Sequence, residues 1–355
     1  MLKVLLACAC LLGSTYAAMA QATSVVFLNP GKSTETFWVD YAQFMQAAAK
    51  DLGLELRVRY AEREIQNTLV QAREALQGDK RPDYLVLVNE QYVAPQIMRM
   101  AQGSGVKLLL VNNALTASQA QWLEAQTDVD EIGTLVAEDD TAGYLMLIDL
   151  LRQHGPVAPG HTLDLLAFSG AQHTPAAQLR EQGLHRALAE HPEVRLRQLV
   201  YGEWSRERAF EQATQLFKRY PRTALVWSAN DEMALGAMRA LQNSGRTPGK
   251  DVLFSAVNSS PQILRARLDG RLSTLVAGHF TLGGWAMVLI HDDANGIDIR
   301  AHGGLERQKA LFQLIDAQQA QRLLRPVPAV DFRALSAQGK PASYRYPFSL
   351  QWLLR

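Results

Sequence analysis

Residues 24–60, SVVFLNPGKSTETFWVDYAQFMQAAAKDLGLELRVRY, place a helical pattern between two short apolar runs. The runs SVVFL (24–28) and LELRVRY (54–60) are too short for helices and rich in residues that favour strands. Between them, apolar side chains recur with the i, i+4, i+7, i+8 spacing of one helix face: Phe37, Tyr41, Phe44, Met45, Ala48 and Leu52. A strand, a helix and a second strand in this order are typical of a parallel α/β sheet.

The same alternation continues along most of the chain. Seven further apolar runs lie at 83–88, 106–111, 162–168, 194–201, 223–228, 252–257 and 272–278. Runs that are apolar almost throughout indicate strands buried on both faces of a sheet. Nine strands in a chain of 355 residues favour two sheets of similar build over one very wide sheet. We therefore predict an α/β protein with two doubly wound parallel-sheet lobes.

The first twenty residues, MLKVLLACACLLGSTYAAMA, have the features of a secretory signal peptide. A lysine precedes a short apolar stretch, and Ala18-Met19-Ala20 forms a small-x-small cleavage site. Both cysteines, Cys8 and Cys10, fall inside this leader, so the exported chain is held together by its core alone. Lipidation of Cys8 stays as an alternative.

The charge balance and the length of the apolar runs bear on two partners, nucleic acid and the membrane. Lys3 is one of 36 basic residues, and the leader holds none of the 35 acidic ones, so the exported chain has equal numbers of each. This balance gives no reason to expect a nucleic-acid partner. No run after the leader approaches the length that spans a bilayer, so we predict a soluble protein.

Motifs for catalysis and cofactors are missing from the sequence. Gly31-Lys32-Ser33 matches the end of a nucleotide-binding P-loop, but Val26 occupies the position of the first glycine that the loop needs. Neither Gly-x-Ser-x-Gly nor His-Glu-x-x-His occurs, and the eight histidines lack metal-ligand spacing. We predict no enzyme activity, no metal and no cofactor.

Residues that follow the predicted strands form the candidate site, because ligands of doubly wound proteins bind beyond the carboxyl ends of the strands. Aromatic residues alternate there with amides, an acid, a histidine and one arginine. Aromatic faces stack on the apolar faces of a sugar-like ring, while the polar groups bind its hydroxyls. The candidates are Phe37, Trp38, Asn89, Asn112, Asn113, Asp139, Arg180, Trp204, Asn230, Asn258 and His279.

Several candidates also fit a purely structural role. Asp139 and Asn230 stand where side chains cap helices, and Asn258 precedes a turn-forming Ser-Ser-Pro. Phe37 fits the core face of its helix, and Arg180 fits a solvated helix position. The shared placement at strand ends, rather than any single residue, supports the site.

The segment SANDEMALGAMRALQNSG (228–245) resembles the signature helix of type I periplasmic binding proteins, the ribose- and galactose-binding group. The resemblance continues through VAEDDTAGYL, AAQLREQGLHRAL and LSTLVAGHF. It implies two lobes joined by a hinge that the chain crosses near Ala137, Gly278 and Glu306. The implied units are the signal peptide (1–20), an N-terminal lobe (21–137 with 278–306), a C-terminal lobe (138–277 with 307–325) and a C-terminal extension (326–355) that packs on a lobe or a partner.

The resemblance also implies a function and roles for the candidate residues. The expected protein is a monomeric periplasmic receptor that closes on a small polar, sugar-like ligand and presents it to an ABC transporter. Because NPGKSTETFWV and the aromatic tail resemble autoinducer-2 receptors, a sensory subunit for a membrane sensor kinase stays as an alternative. A transcription regulator does not fit, because a leader replaces the helix-turn-helix. The implied contacts in the N-terminal lobe are ring stacking by Phe37 and Trp38 and polar contacts from Asn89 and from Asn112 or Asn113. In the C-terminal lobe, the residues that face them are Arg180, Trp204, Asn230 and Asn258.

The sequence departs from the family at three places. Many sugar-binding members have aspartate where Asn112 or Asn113 and Asn258 stand, and glutamine near Gly278, so this chain lacks strong charge-assisted acceptors that those members use for a pentose or hexose. Arg180 becomes the expected main charged donor to the ligand. We expect its removal to weaken binding while the fold stays intact.

Overall fold

A computed structural model describes residues 22–125, 128–325 and 330–354. The predicted signal peptide, including Cys8, lies outside the described residues. Within them, no helix has both the length and the apolar character needed to cross a bilayer.

The first sheet contains six strands that all pair in parallel. They are β1 (Ser24–Asn29), β2 (Glu55–Tyr60), β3 (Tyr84–Val88), β4 (Lys107–Val111), β5 (Glu131–Ala137) and β11 (Glu306–Lys309). Their order across the sheet is β11-β5-β4-β3-β1-β2. Successive strands run outward from β1 to β2 on one side and from β3 to β5 on the other, so the strand order reverses between β1 and β3.

The second sheet repeats this build. Its strands are β6 (Leu163–Ser169), β7 (Val194–Tyr201), β8 (Thr223–Ser228), β9 (Leu253–Val257), β10 (Thr274–Ala277) and β12 (Gln313–Leu314), in the order β12-β10-β9-β8-β6-β7. Five strands are parallel, and β12 pairs antiparallel with β10 at the edge. The predicted α/β class with two doubly wound lobes is therefore confirmed, with one antiparallel edge strand added.

Helices cover both sheets. They are α1 (Thr36–Leu52), α2 (Ile65–Gln77), α3 (Ala94–Ala101), α4 (Ala117–Glu124), α5 (Asp139–His154), α6 (Pro175–Glu190), α7 (Arg206–Arg219), α8 (Asp231–Asn243), α9 (Pro261–Leu268), α10 (Leu282–Ala294), α11 (Ala317–Leu323) and α12 (Gln351–Leu354). The face of α1 predicted from the sequence is buried from Tyr41 to Leu52, which packs the helix on the first sheet.

The chain passes between the two sheets three times. It leaves the first sheet after β5, returns after β10, and leaves again between β11 and β12. The third passage follows Lys309, the last residue that pairs with β5, a few residues after Glu306. The division into domains stays a prediction.

The described part of the C-terminal extension packs on α10. The Phe348 ring stacks on Trp285 at 5.3 Å between centroids, and Phe332 lies 5.9 Å from the same indole. The buried Asp292 carboxylate accepts hydrogen bonds from the Tyr346 hydroxyl (2.8 Å) and the Ala337 amide (2.6 Å). These contacts join the extension to the core between α1 and α10.

Candidate functional site

A small cavity lies at the carboxyl ends of strands from both sheets. Both lobes contribute to its wall: Glu35, Phe37, Trp38, Arg63, Glu90, Asn112, Thr174, Ala176, Arg180, Trp204, Asn230, Asn258 and His279.

The structure brings together at this cavity most of the residues predicted from the sequence. The predicted residues on its wall are Phe37, Trp38, Asn112, Arg180, Trp204, Asn230, Asn258 and His279. Three others, Asn89, Asn113 and Asp139, are buried but do not line it. Contact of any of these side chains with a ligand stays a prediction.

The three residues outside the wall hold neighbouring groups. The Asn89 amide donates to the Ala114 carbonyl at 2.8 Å, and its oxygen accepts from the Ala94 amide at 3.0 Å. Asn113 donates to Glu90, and Asp139 accepts from Arg180. Asp139 begins α5 without capping it through its side chain, which corrects the alternative of a helix cap.

Four residues of the cavity wall have a left-handed backbone: Arg63, Asn112, Trp204 and Asn258. Among the described residues other than glycine, positive φ angles occur only just after β2, β3, β4, β7 and β9. Such conformations cost free energy for residues with a Cβ and are concentrated at functional sites in proteins. They occur at Glu62, Arg63, Gln91, Tyr92, Asn112, Glu203, Trp204 and Asn258.

Arg180 lies at the centre of a buried hydrogen-bond network. Its Nε donates to Asp139 Oδ1 at 2.7 Å, its Nη1 to the Ala229 carbonyl at 2.6 Å, and its Nη2 faces His279 Nε2 at 3.3 Å. Because only 4% of the side chain is exposed, the alternative of a solvated helix arginine is wrong. Most of its N–H groups already have protein partners, so Arg180 supports the fold as well as the cavity.

Two glycines let α5 and α6 approach closely enough for this ion pair. A Cβ on Gly143 would lie 1.9 Å from the Arg180 carbonyl oxygen, and one on Gly183 would lie 1.9 Å from the Asp140 carbonyl oxygen. Any larger residue must push the helices apart. The segment AAQLREQGLHRAL therefore contains both Arg180 and Gly183, the glycine that allows its contact.

His279 is held between two aromatic rings. Its ring stacks on Phe37 with centroids 4.6 Å apart, and Phe312 lies 4.6 Å away on a tilted plane. Burial, and then the charge of Arg180, lower the pKa of His279 well below its ordinary value, so the ring is neutral. Since Nε2 faces the Arg180 donor, the proton lies on Nδ1, which has no partner in the described structure.

Trp38 and Trp204 add two more buried N–H groups on the wall. Neither indole Nε1 has a hydrogen-bond acceptor among the described residues. A Cβ on Gly31 would come within 2.0 Å of the Trp38 ring, and one on Gly170 within 2.0 Å of the Trp204 ring. With His279 Nδ1, these are three buried donors of wall residues that have no acceptor among the described residues.

The two asparagines of the C-terminal lobe have both structural and site roles. Asn230 caps α8 by accepting from the Met233 amide at 2.9 Å, which confirms the capping alternative, and it also lines the cavity. Its amide donates to the Trp204 carbonyl at 3.2 Å. Asn258 donates to Asp231 Oδ1 at 2.8 Å. Both amides are thereby fixed in orientation.

The sequence analysis missed five residues of the wall: Glu35, Arg63, Glu90, Thr174 and Ala176. Arg63 Nε donates to Glu35 at 2.9 Å, and its Nη1 donates to Glu90 at 3.0 Å. Burial raises the pKa of Glu90 above its ordinary value, although Arg63 acts against this rise. Glu90 directly follows Asn89, so the strand-end rule that selected Asn89 could also have selected Glu90.

This two-lobed fold with a cavity at the strand ends defines a type I periplasmic solute-binding protein, and the chain belongs to that family: the periplasmic binding protein domain matches residues 25–297. A solved structure of a periplasmic sugar-binding protein from Pseudomonas fluorescens is 65% identical to this chain, with a TM-score of 0.89. The match covers 94% of this chain and 100% of that chain.

More distant relatives share the fold. The ribose import binding protein of Escherichia coli (strain K12) is 24% identical over 269 residues, which are 75% of this chain and 83% of that protein. The structure of a galactofuranose binding protein is 19% identical with a TM-score of 0.71, over 85% of this chain and 97% of that chain. The predicted family is confirmed.

Proposed function

We propose that this protein is the sugar-binding receptor of a periplasmic ABC import system. Its lobes close on a small sugar-like ligand in the cavity, and a membrane permease receives the ligand from the closed form. The observation that carries this proposal is the cavity wall, where aromatic rings, fixed amides and charged side chains from both lobes converge. The 65% identity to a periplasmic sugar-binding protein supports the ligand class.

Export and partners form the second part of the proposal. The leader at 1–20 directs the chain to the periplasm, where it works as a monomer without a nucleic-acid partner. It binds its ligand without transforming it. Relatives of this chain are named as import binding proteins for ribose and for D-apiose. These names favour a permease as the partner over the sensor-kinase alternative.

A screen of sugars against the chain without its leader tests the proposal. Closure shields Trp38 and Trp204, so a bound sugar should change the intrinsic fluorescence. Binding should also raise the melting temperature by mass action, equivalent to about 2.7 kcal/mol at a sugar concentration of 100 times Kd. If no pentose, hexose or furanose changes either signal, the proposed ligand class is wrong.

A matched set of tryptophan variants identifies the source of the signal. Trp38→Phe and Trp204→Phe should each reduce the fluorescence change. Trp122→Phe should preserve it, because Trp122 stacks with Arg99, 4.7 Å from its ring centre, outside the cavity.

A further inference from the structure

Glu90 occupies a specialised place in the cavity wall. It directly follows β3 and begins a short 3-10 helix, Glu90–Tyr92. The next two residues, Gln91 and Tyr92, have φ angles of 48° and 63°, which turn the chain sharply beside the cavity. Only 8% of Glu90 is exposed. A strained turn thus holds a buried carboxylate at the site.

The two carboxylates on the wall differ in their free acceptor positions. Both Glu35 oxygens accept from Arg63, and one of them also accepts from the Lys32 amide at 3.3 Å. Each Glu90 oxygen has one protein donor: Arg63 at 3.0 Å and Asn113 at 3.2 Å. Since a carboxylate has about four acceptor positions, Glu90 keeps one free position on each oxygen.

The charges around the cavity disfavour an anionic ligand. Two arginines, Arg63 and Arg180, are balanced by Glu35, Glu90 and the Asp139 carboxylate that pairs with Arg180. No surplus positive charge is available to a ligand carboxylate or phosphate. A neutral hydroxyl, in contrast, can donate to a carboxylate in a strong charge-assisted bond.

We propose that Glu90 is a specificity-determining residue whose two oxygens accept hydrogen bonds from adjacent hydroxyls of a neutral sugar, and whose charge excludes sugar acids and sugar phosphates. Arg63 and Asn113 position the carboxylate for this contact. The inference rests on the proposed function and names the ligand class of the same cavity.

Calorimetric titration with neutral and anionic sugars tests this inference. The neutral probes are D-ribose, L-arabinose, D-xylose, D-galactose and any other sugar that binds in the fluorescence screen, and the anionic probes are D-galacturonate and D-ribose 5-phosphate. Wild type should bind at least one neutral probe and neither anionic probe. Glu90→Gln should weaken the best neutral probe by roughly 10- to 150-fold, because one strong acceptor is lost.

Glu232→Gln is the matched control. Glu232 accepts two hydrogen bonds from Arg206, both at 2.8 Å, and it does not line the cavity. The affinity of the Glu232→Gln protein for the same probe should stay within about twofold of the wild-type affinity. If Glu90→Gln does not fold, Glu90→Asp replaces it. That variant withdraws the oxygens and should weaken binding by about fivefold or more while still excluding D-galacturonate.

The outcomes separate the inference from the proposed function. If a neutral sugar binds wild type and the Glu90 variant with affinities within twofold, or if an anionic probe binds wild type as tightly, the inference alone is wrong. If no neutral sugar binds wild type, the proposed function and the inference are both overturned.

Discussion

Arg180 and Asp139 form an ion pair in the interior of the C-terminal lobe, with Arg180 Nε 2.7 Å from Asp139 Oδ1. Their side chains are only 4% and 3% exposed. The pair joins α6 to α5 and at the same time places the guanidinium on the cavity wall. Removal of either partner leaves a buried charge without compensation, which is strongly destabilising.

Arg180→Ala should therefore lower the free energy of unfolding by about 3–5 kcal/mol. This replaces the expectation from the sequence that the fold would stay intact. Arg186→Ala is the control on the same helix, because Arg186 pairs with Asp140 at the surface and should contribute about 0–1 kcal/mol. Urea unfolding of both variants compares them. Equal, small losses would show that the buried pair does not stabilise the lobe.

Tyr92→Phe should weaken ligand binding by roughly 2- to 10-fold, because one hydrogen bond of about 0.5–1.5 kcal/mol is lost. The Tyr92 hydroxyl donates to Gln178 Oε1 at 2.6 Å and joins the loop after β3 to α6 in the other lobe. Parting of the lobes breaks this bond, so its loss disfavours the closed form. Tyr144→Phe is the control, because the Tyr144 hydroxyl donates to Glu190 within one lobe. Equal affinities of the two variants in calorimetry would contradict a closing role.

The stability contributed by His279 should fall as the pH drops below about 6.5, its ordinary pKa. The folded state keeps this ring neutral at that pH, whereas the unfolded state takes up a proton, so the unfolded state gains stability. When the pH falls from 7.5 to 5.5, the melting temperature of His279→Gln should fall by less than that of wild type. His161→Gln, at an exposed position, should follow wild type. Parallel melting profiles for all three proteins would refute the effect.

Glu131→Gln should raise the melting temperature at pH 8 relative to wild type and have little effect near pH 4.5. Burial, and then the charge of Glu306, raise the pKa of Glu131 to about 7 in the folded protein. The folded protein therefore binds a proton at Glu131 more tightly than the unfolded chain does. The stability that this proton gives to the folded state is lost as the pH rises from about 4.5 through 7. Thermal melts at both pH values test this. A difference between the proteins that does not change with pH would contradict the assignment.

Local patterns in the sequence were sufficient for most strands and for the general place of the site. Runs such as YLVLV form strands because a strand buried on both faces needs apolar residues throughout. Two strands of the first sheet were missed. Gly133 interrupts the run in β5, and β11, with the polar sequence ERQK, lies at the sheet edge, where Glu306 and Gln308 are exposed.

The sequence by itself determined the α/β alternation and the row of aromatic and amide residues at the strand ends, because both follow from patterns within a few residues. It also determined the two sheets, because nine strands in 355 residues are too many for one sheet of ordinary width. Tertiary structure alone decided which groups share the cavity and what each one contacts. Arg63 meets Glu35 and Glu90 across 28 and 27 positions of the chain, and Arg180 meets Asp139 across 41. Such contacts depend on sheet order and on the close approach of helices, and no local pattern records either of them.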